Sequence, residues 1–517
     1  MTTKSKALAV LTCALLLASA SVQAEPAQAG DAQEQRLDEL KAMKKEMARM
    51  MRAYETRINK LEAEMREQKA TSARLVAAKP VSAPAQQATQ PTLASNFPDA
   101  GLRVNLPEST LPLQKTDPTE WGLYEPGKGF VAVRGKNGEL RVTLIAYLRY
   151  LNQLGLDPEY TDSFGRTKSI HLRQDVQWNK VNLGFKGWLI DPDFTYSAWV
   201  WTQQPAMGEG AQVVVGGQLG YHFNDYLNVY GGIAPLPSTR STNWTYPFWL
   251  KMDNRTVADD FFRASYSQGV WADGKITDDL KYRIMIANNL SALGVAASQL
   301  NAEFNTISGA IWWMPTTGEF GPAIGFGDFE GHEKLATLFG VHYTRSREDK
   351  QSQPGVDDIE NSQIRLSDGT LLFSPNAFNT GGQVNKATYQ MADLEGGFKY
   401  QGFSLEGEYY MRWVNDFDTT GFIPVSSLFD HGFQLQASAM ILPKQLQVYV
   451  AGSEVFGQYG TPWDTSVGLN WYPFKRREVH INAEGIYDSH SPVGGLSYPY
   501  VVGGNGWIFH TDAIITF

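Results

Sequence analysis

The chain has 517 residues, of which only 19% are charged and 12% aromatic, with 48 glycines, a balance richer in Tyr, Trp and Gly than a cytosolic enzyme carries. Its formal net charge of −9 speaks against a sequence-independent grip on nucleic acid. The one cysteine, Cys13, falls in the N-terminal apolar run, so a chain processed after that run holds no thiol. Disulfides, thiolate metal sites and cysteine nucleophiles are then excluded together.

Residues 1–24 read as a secretory signal peptide. Lys4 and Lys6 open it, Ala7 to Ala20 is an apolar stretch too short to span a bilayer, and Val22-Gln23-Ala24 offers small residues for cleavage before Glu25. Charged or polar residues interrupt every later apolar run, so no transmembrane helix is expected. An exported chain without a spanning helix is either soluble in an oxidising compartment or a membrane barrel.

Residues 25–70 carry a helical segment. Asp31 to Ala70 contains no Gly or Pro. With Leu37 at a and Leu40 at d, the seam continues through Lys44, Met47, Met51, Tyr54, Ile58, Leu61, Met65 and Gln68. This repeat predicts a short parallel periplasmic coiled coil, and with it an oligomer, a homotrimer being the expected number; a lone amphipathic helix is the alternative. Residues 71–127 hold Pro80, Pro84, Pro91 and Pro98 among Ala, Gln, Ser and Thr, a linker that approaches the next domain.

From 128 to 517 the chain turns aromatic, Gly-rich and alternating. The runs "KVNLGFKGWL", "LKYRIMIANN", "FSLEGEYYMRW" and "EVHINAEGIYD" place apolar side chains on one face and polar ones on the other. Each is about as long as a tilted strand that crosses a bilayer. Turn residues mark tight connections at Asp191-Pro192-Asp193, Asn224-Asp225, Thr277-Asp278-Asp279, Gln401-Gly402, Pro443-Lys444-Gln445 and Pro473-Phe474-Lys475. Long connections such as 153–174, 234–265 and 346–387 lie between them. Tight turns alternating with long loops predict an all-β transmembrane barrel of about 16 antiparallel strands, preceded by the periplasmic α-helical coiled coil. Trp312-Trp313, Trp413 and Trp471-Tyr472 sit near strand ends, as interfacial girdles require.

The last strand, "GWIFHTDAIITF", alternates to the end of the sequence. It resembles the sorting signal read by the barrel-assembly machinery of Gram-negative bacteria, with Phe509, Ala513, Ile515 and Phe517 at the matching positions. The whole layout resembles porins of the phosphate-selective O and P family and related trimeric dicarboxylate porins with an N-terminal coiled coil. That resemblance implies a cell outer membrane location, contact with outer-membrane lipid, and passive diffusion of small, anionic, hydrophilic solutes without a cofactor.

The loop at 234–265 follows the fifth predicted strand and is too aromatic for a solvated loop, with Trp244, Tyr246, Phe248, Trp249, Phe261 and Phe262. In general porins the loop at this place narrows the lumen. The expected pore constriction therefore comprises Arg240, Lys251, Arg255 and Arg263 opposed by Asp253, Asp259 and Asp260, whose field would select solutes by sign and size. Alternation turns Lys180, Lys186, Lys281, Arg283, Lys399 and Arg412 inward as pore wall, but also Glu406, Glu408, Asp393, Glu395, Glu484 and Asp488. Phosphate selectivity in the family depends on basic ladders, which this mixed wall offers only in part.

Two other classes stay open. A barrel hydrolase would need a nucleophile and a base; there is no Gly-x-Ser-x-Gly or His-Glu-x-x-His motif, and only His480 and His510 with Asp512 form a candidate cluster. An envelope tether or adhesin would use the coiled coil to contact peptidoglycan or another envelope component. Neither an ATP-binding loop nor a plug domain is recognisable, so energised uptake is not expected.

Overall fold

Alternation and turn chemistry act locally, and the computed structural model carries them through. It describes residues 121–203, 212–243, 245–252, 254–295, 298–301, 303–354, 363–495 and 498–517. The signal peptide, the coiled coil and most of the linker lie outside the described residues.

A short β1 (Leu123–Glu125) pairs with β2 (Gly129–Gly135), which turns at Lys136 and Asn137 into β3 (Gly138–Leu156). Thus β1 falls inside the segment assigned to the linker. The first long loop carries a small hairpin of β4 (Glu159–Thr161) and β5 (Thr167–Ser169). Next come β6 (Gln174–Leu189), β7 (Asp191–Gln203), β8 (Gln212–Asn224), β9 (Leu227–Pro235), β10 (Tyr266–Thr277) and β11 (Leu280–Asn288). They are followed by β12 (Thr306–Trp313), β13 (Ala336–Asp349), β14 (Gln383–Tyr400), β15 (Phe403–Thr420) and β16 (Leu428–Leu442). The last four are β17 (Leu446–Phe456), β18 (Trp463–Trp471), β19 (Val479–Ser489) and β20 (Asn505–Thr516). The four alternating runs quoted above lie in β6, β11, β15 and β19.

From β6 to β20 each strand pairs antiparallel with the next. The first barrel strand, β3, pairs along one edge with β6. Along the other it meets β2 near its start and β20 further on, with Thr516 opposite Ile145 and Ala513 opposite Leu148. This closes a sixteen-stranded antiparallel barrel of β3 and β6–β20. Closure leaves no free edge, the condition for a sheet to stand in lipid.

The two faces divide as the alternation predicts. On β20, Trp507, Phe509 and Ile515 are 48%, 52% and 51% exposed on the outside, while His510 and Asp512 are buried on the lumen side. The same split recurs around the wall, so the outer band is apolar and the lumen polar, as in a lipid-embedded barrel. Trp313, Trp413 and Trp471 face outward with the girdle, but Trp312 and Tyr472 are buried on the lumen face, because neighbours in a strand point to opposite sides.

All six predicted tight turns fall at hairpin connections on one end of the barrel. Gln401 and Gly402 adopt φ of 49° and 85°, the left-handed pair that a two-residue hairpin needs. One connection at this end breaks the rule. Residues 314–335, between β12 and β13, do not turn tightly; they fold back into the lumen.

Candidate functional site: a filled lumen with one basic lane

Two segments enter the lumen from opposite ends. The third long loop, 236–265, joins β9 to β10, and its described residues are buried almost throughout. A solvated loop would leave its aromatics in water; here Phe248, Phe261 and Phe262 are buried and Tyr246 and Trp249 half-buried. A short helix, α1 (Val257–Phe262), begins at Thr256, whose hydroxyl donates to Gln434 on β16 at 2.8 Å. The first amides of α1 point at the far wall: Val257 N–H donates to Asp464 and Ala258 N–H to Ser453. Phe262 then stacks on Tyr410, ring centres 5.2 Å apart.

The 314–335 inlay meets this loop from the turn end. Phe326 N–H donates to the Phe248 carbonyl at 2.7 Å, and Gly327 N–H donates to Glu406. Lys399 on β14 donates to the carbonyls of Phe320 and Gly325. At the rim, Arg477 forks onto Glu330 at 3.0 and 2.9 Å and lies over the rings of Phe329 and Phe248. The His332 ring sits between Asp328 at 2.5 Å and Glu319 at 3.1 Å. Burial works against its charge, but these two carboxylates prevail and lift its pKa to about 9. Asp328 also accepts from the amides of Gly331, His332 and Gly402, which ties the inlay to the 401–402 turn.

Most predicted constriction and wall charges are spent on one another. The Arg240 guanidinium lies 2.5 Å from Glu406 and 3.7 Å from Glu395, and it donates to the carbonyls of Ile324 and Gly325 at 2.8–2.9 Å. Its own amide donates to Glu408. Lys251 sits 3.2 Å from Glu484 and 3.5 Å from Asp464. Arg263 pairs with Asp260 at 2.6 Å, and Asp259 accepts from the hydroxyls of Thr239 and Ser241. Arg283 pairs with Asp273 and Arg412 with Asp430. Lys281 is buried on the lumen side of β11. Asp253 lies outside the described residues.

The expected row of loop cations facing loop aspartates across an aperture therefore does not form. The loop presses against β14–β19, where Arg240 and Lys251 meet wall carboxylates, while Arg263 pairs with Asp260 within the loop and Asp259 accepts from Thr239 and Ser241. His480 and His510 also part. His510 is engaged at both ring nitrogens, by Asp512 at 2.6 Å and Glu484 at 2.8 Å, and Arg149 continues the series onto Asp512 at 2.8 Å. A ring holding a carboxylate at each nitrogen has no lone pair to offer a nucleophile. His480 instead lies beside Tyr472 and the Arg477 carbonyl.

What the loop leaves open lies on the opposite wall. A cavity of about 210 Å³ runs between β3, β6, β7 and the near side of the loop. It is bordered by Lys180, Asn182, Gly184 and Lys186, four successive lumen positions of β6, and by Ser197, Trp199 and Trp201 of β7. Six residues of strand at about 3.3 Å each make this lane roughly 20 Å long. The loop contributes Tyr246, Phe248, Trp249 and Arg255. Lys180 lies 4.8 Å over Trp201 and Arg255 4.3 Å over Trp249. Trp199 is laid back across Gly216, where a Cβ would come within 2.4 Å of the ring. Among the described residues that line the lane, three side chains are basic and none is acidic.

Of the predicted residues, the structure brings Lys180, Lys186 and Arg255 together here. Sequence reasoning named Trp249 among the loop aromatics but missed Trp199, Trp201 and the inlay. The inlay carried a usable signal: Phe320, Ile324, Phe326 and Phe329 are too apolar for a solvated turn, the same mark that singled out the loop.

No protein-family model matches the sequence, and no curated protein does. Among solved structures the chain is similar to the anion-selective porin from Comamonas acidovorans, at 10% identity and a TM-score of 0.45, covering 74% of this chain and 100% of that one. It is also similar to the outer membrane channel DcaP of Acinetobacter baumannii, at 8% identity and a TM-score of 0.46, covering 75% and 99%. OmpT, an outer membrane protein of Vibrio cholerae, gives 9% and 0.45 over 74% and 99%. With likeness this distant, the barrel stands on its own strand pairing.

Proposed function

We propose that this chain is a passive outer-membrane diffusion channel that favours small anions. The observation that carries the reading is the lane beside β6, with Lys180 and Lys186 toward its two ends, Arg255 across from them and no acidic side chain among its described lining residues. A narrow lane of one sign between low-dielectric walls concentrates counter-charged solutes. The narrowing of the lumen by loop 236–265, assembly as a homotrimer through residues 31–70, recognition of the terminal strand by the barrel-assembly machinery and any peptidoglycan contact belong to the same proposal. Phosphate as the specific solute draws less support: Arg283 and Arg412 face Asp273 and Asp430, and Lys399 is turned onto inlay carbonyls.

Single-channel recording in a planar bilayer across a KCl gradient tests the reading. Stepwise currents with an anion-favouring reversal potential are expected, and the triple variant K180Q/K186Q/R255Q should bring that potential toward zero. Currents that favour cations, or a triple variant with unchanged potential, would overturn it.

A further inference from the structure

We infer that the outer wall carries, at the loop end of β13, a docking site for the phosphate headgroup of a phosphorylated glycolipid of the outer leaflet, built from Arg345 and Arg347 with Lys386 of β14 beside them. The site stands outside the barrel and does not depend on the pore. Alternation sets it up. The outward positions of β13 read Phe339, Val341 and Tyr343, all exposed, and then Arg345 and Arg347, while Thr344, Ser346 and Glu348 turn to the lumen and are buried. Phe339 packs on Trp313 of the girdle at the turn end, ring centres 5.8 Å apart, so the run starts at that girdle and ends in cations. Short turns of outer-membrane barrels face the periplasm and long loops the exterior, which sets the two arginines in the outer leaflet.

Their charge is unanswered by the protein. In register across the wall run Ile286, Ile307, Arg345, Gln390, Trp413 and Phe429, and Arg345 is the one charge in that row. It is exposed and forms no ion pair among the described residues. Arg347 is held by neutral acceptors: one terminal nitrogen donates to the Thr388 hydroxyl at 3.1 Å and to the Asp416 carbonyl at 2.6 Å. Those bonds aim the guanidinium and leave its charge whole. Lumen arginines differ, since Arg240, Arg283 and Arg412 each meet a carboxylate. An arginine on a lipid-facing wall is costly at depth and cheap at the headgroups, so these side chains lie along the wall with their heads in the headgroup layer.

Spacing suits a single phosphate. Arg345 and Arg347 lie two residues apart on one face, about 7 Å. Arg347 is opposite Thr388, which makes Lys386 its diagonal neighbour on β14. Side chains this long converge on one phosphomonoester, whose oxygens fit the guanidinium fork. The Tyr343 hydroxyl donates to the Gln390 oxygen at 3.1 Å, which directs the amide N–H of Gln390 to act as a further donor beside Arg345. Below, Ile307, Val341 and Tyr343 offer acyl chains an exposed apolar surface. The acids of this corner lie toward the loop tip: Asp349, which accepts from the amides of Gln351 and Ser352, then Asp416 and Asp418, the last in register with Lys386. They bound the site on its outer side, so an anion is favoured at the level of the arginines and not above it. A lipid anchored in the leaflet delivers its phosphate at that level.

Native mass spectrometry of the detergent-solubilised full chain with added bisphosphorylated lipid A tests the site first on the unaltered protein. Saturable adducts are expected, several-fold weaker with dephosphorylated lipid A and not displaced by inorganic phosphate at equal concentration. At about fivefold per cation near a charged lipid surface, R345Q/R347Q should weaken retention about 25-fold. R345K/R347K should restore most of it, and K444Q, which removes a charge at the turn end, should change nothing. Equal binding of dephosphorylated lipid, equal retention by R345Q/R347Q, or displacement by inorganic phosphate would overturn the inference. So would a double variant that changes oligomer size in gel filtration while it keeps lipid A, since a second copy would then cover the patch. Bilayer currents keep this site apart from the channel. R345Q/R347Q should leave the reversal potential where it was; a shifted potential with unchanged retention would move the arginines into the ion path and overturn the site.

Discussion

Arg240 offers the sharpest perturbation because one guanidinium joins the loop, the inlay and the wall. It is buried, 2.5 Å from an equally buried Glu406, and it holds the carbonyls of Ile324 and Gly325. Ile324 has φ of 53°, a left-handed conformation that a β-branched residue adopts only when held. Removing one partner of a buried pair costs about 3–5 kcal/mol, since the other charge is left unpaired. Strain of about 1–3 kcal/mol at such a residue is released when the inlay lets go, which pulls the same way. At 1.4 kcal/mol per decade, R240A shifts the docked inlay toward release by a factor on the order of 10²–10³. The barrel ladder does not involve this side chain, so insertion should persist. Single-channel recording should then show flicker to a larger conductance as the β14–β19 side of the lumen opens. The double variant R240A/E406Q, which removes the stranded carboxylate, should recover part of the quiet state. Quiet wild-type currents from R240A, or a double variant no quieter than the single one, would refute the account of the inlay as a latched filling.

Three further outcomes follow from particular contacts. Because the folded His332 ring has a pKa of about 9 against an ordinary 6.5, its clasp contributes fully below about pH 6.5 and is lost as pH rises through about 9. Current noise should therefore grow between pH 8 and 10, and H332Q should show that noise at every pH; a trace unchanged up to pH 10 would count against the clasp. G216A places a methyl within 2.4 Å of the Trp199 ring and should tip the indole into the lane, lowering anion current. Gly231, with open space at its Cβ position, supplies the control G231A, and equal currents from the two variants would remove Trp199 from the lane wall. Val467, 65% exposed at the middle of β18, faces lipid; V467R should cost about 2–4 kcal/mol in denaturant unfolding from vesicles, and a neutral result would displace the assigned outer band.

The barrel was legible in the sequence because its causes are local. A period of two decides the face of each residue, and turn residues such as Gln401-Gly402 decide where a strand reverses. The inward course of the 236–265 loop was legible for a similar reason, since its aromatics had to leave water. Charge pairing was not. Arg240 and Glu408 are 168 positions apart, and their contact exists only because the barrel's curvature carries the β9–β10 loop across to β15. Alternation could place Lys180 and Glu406 on the same lumen face, yet it held no information on which of them the loop would cover.

That choice of wall determines the character of the pore. The chain is acidic overall, with a net charge of −9, and its lumen-facing residues are of both signs, so no selectivity follows from a count. The loop and the inlay, however, settle on the carboxylate-rich side. Arg240 is drawn to Glu406 and Glu395, and Lys251 to Glu484 and Asp464. Each such contact removes a wall carboxylate from the path along with the cation that meets it. The cavity lies on the other side, bordered by Lys180 and Lys186 of β6 and by Trp199 and Trp201 of β7. An acidic protein can thus present a basic lane, because the filling segments neutralise the acidic wall they rest on. On the proposed reading, anion preference is a property of where the loop docks. Variants that loosen the docking, such as R240A, should weaken the preference even though they leave Lys180, Lys186 and Arg255 untouched.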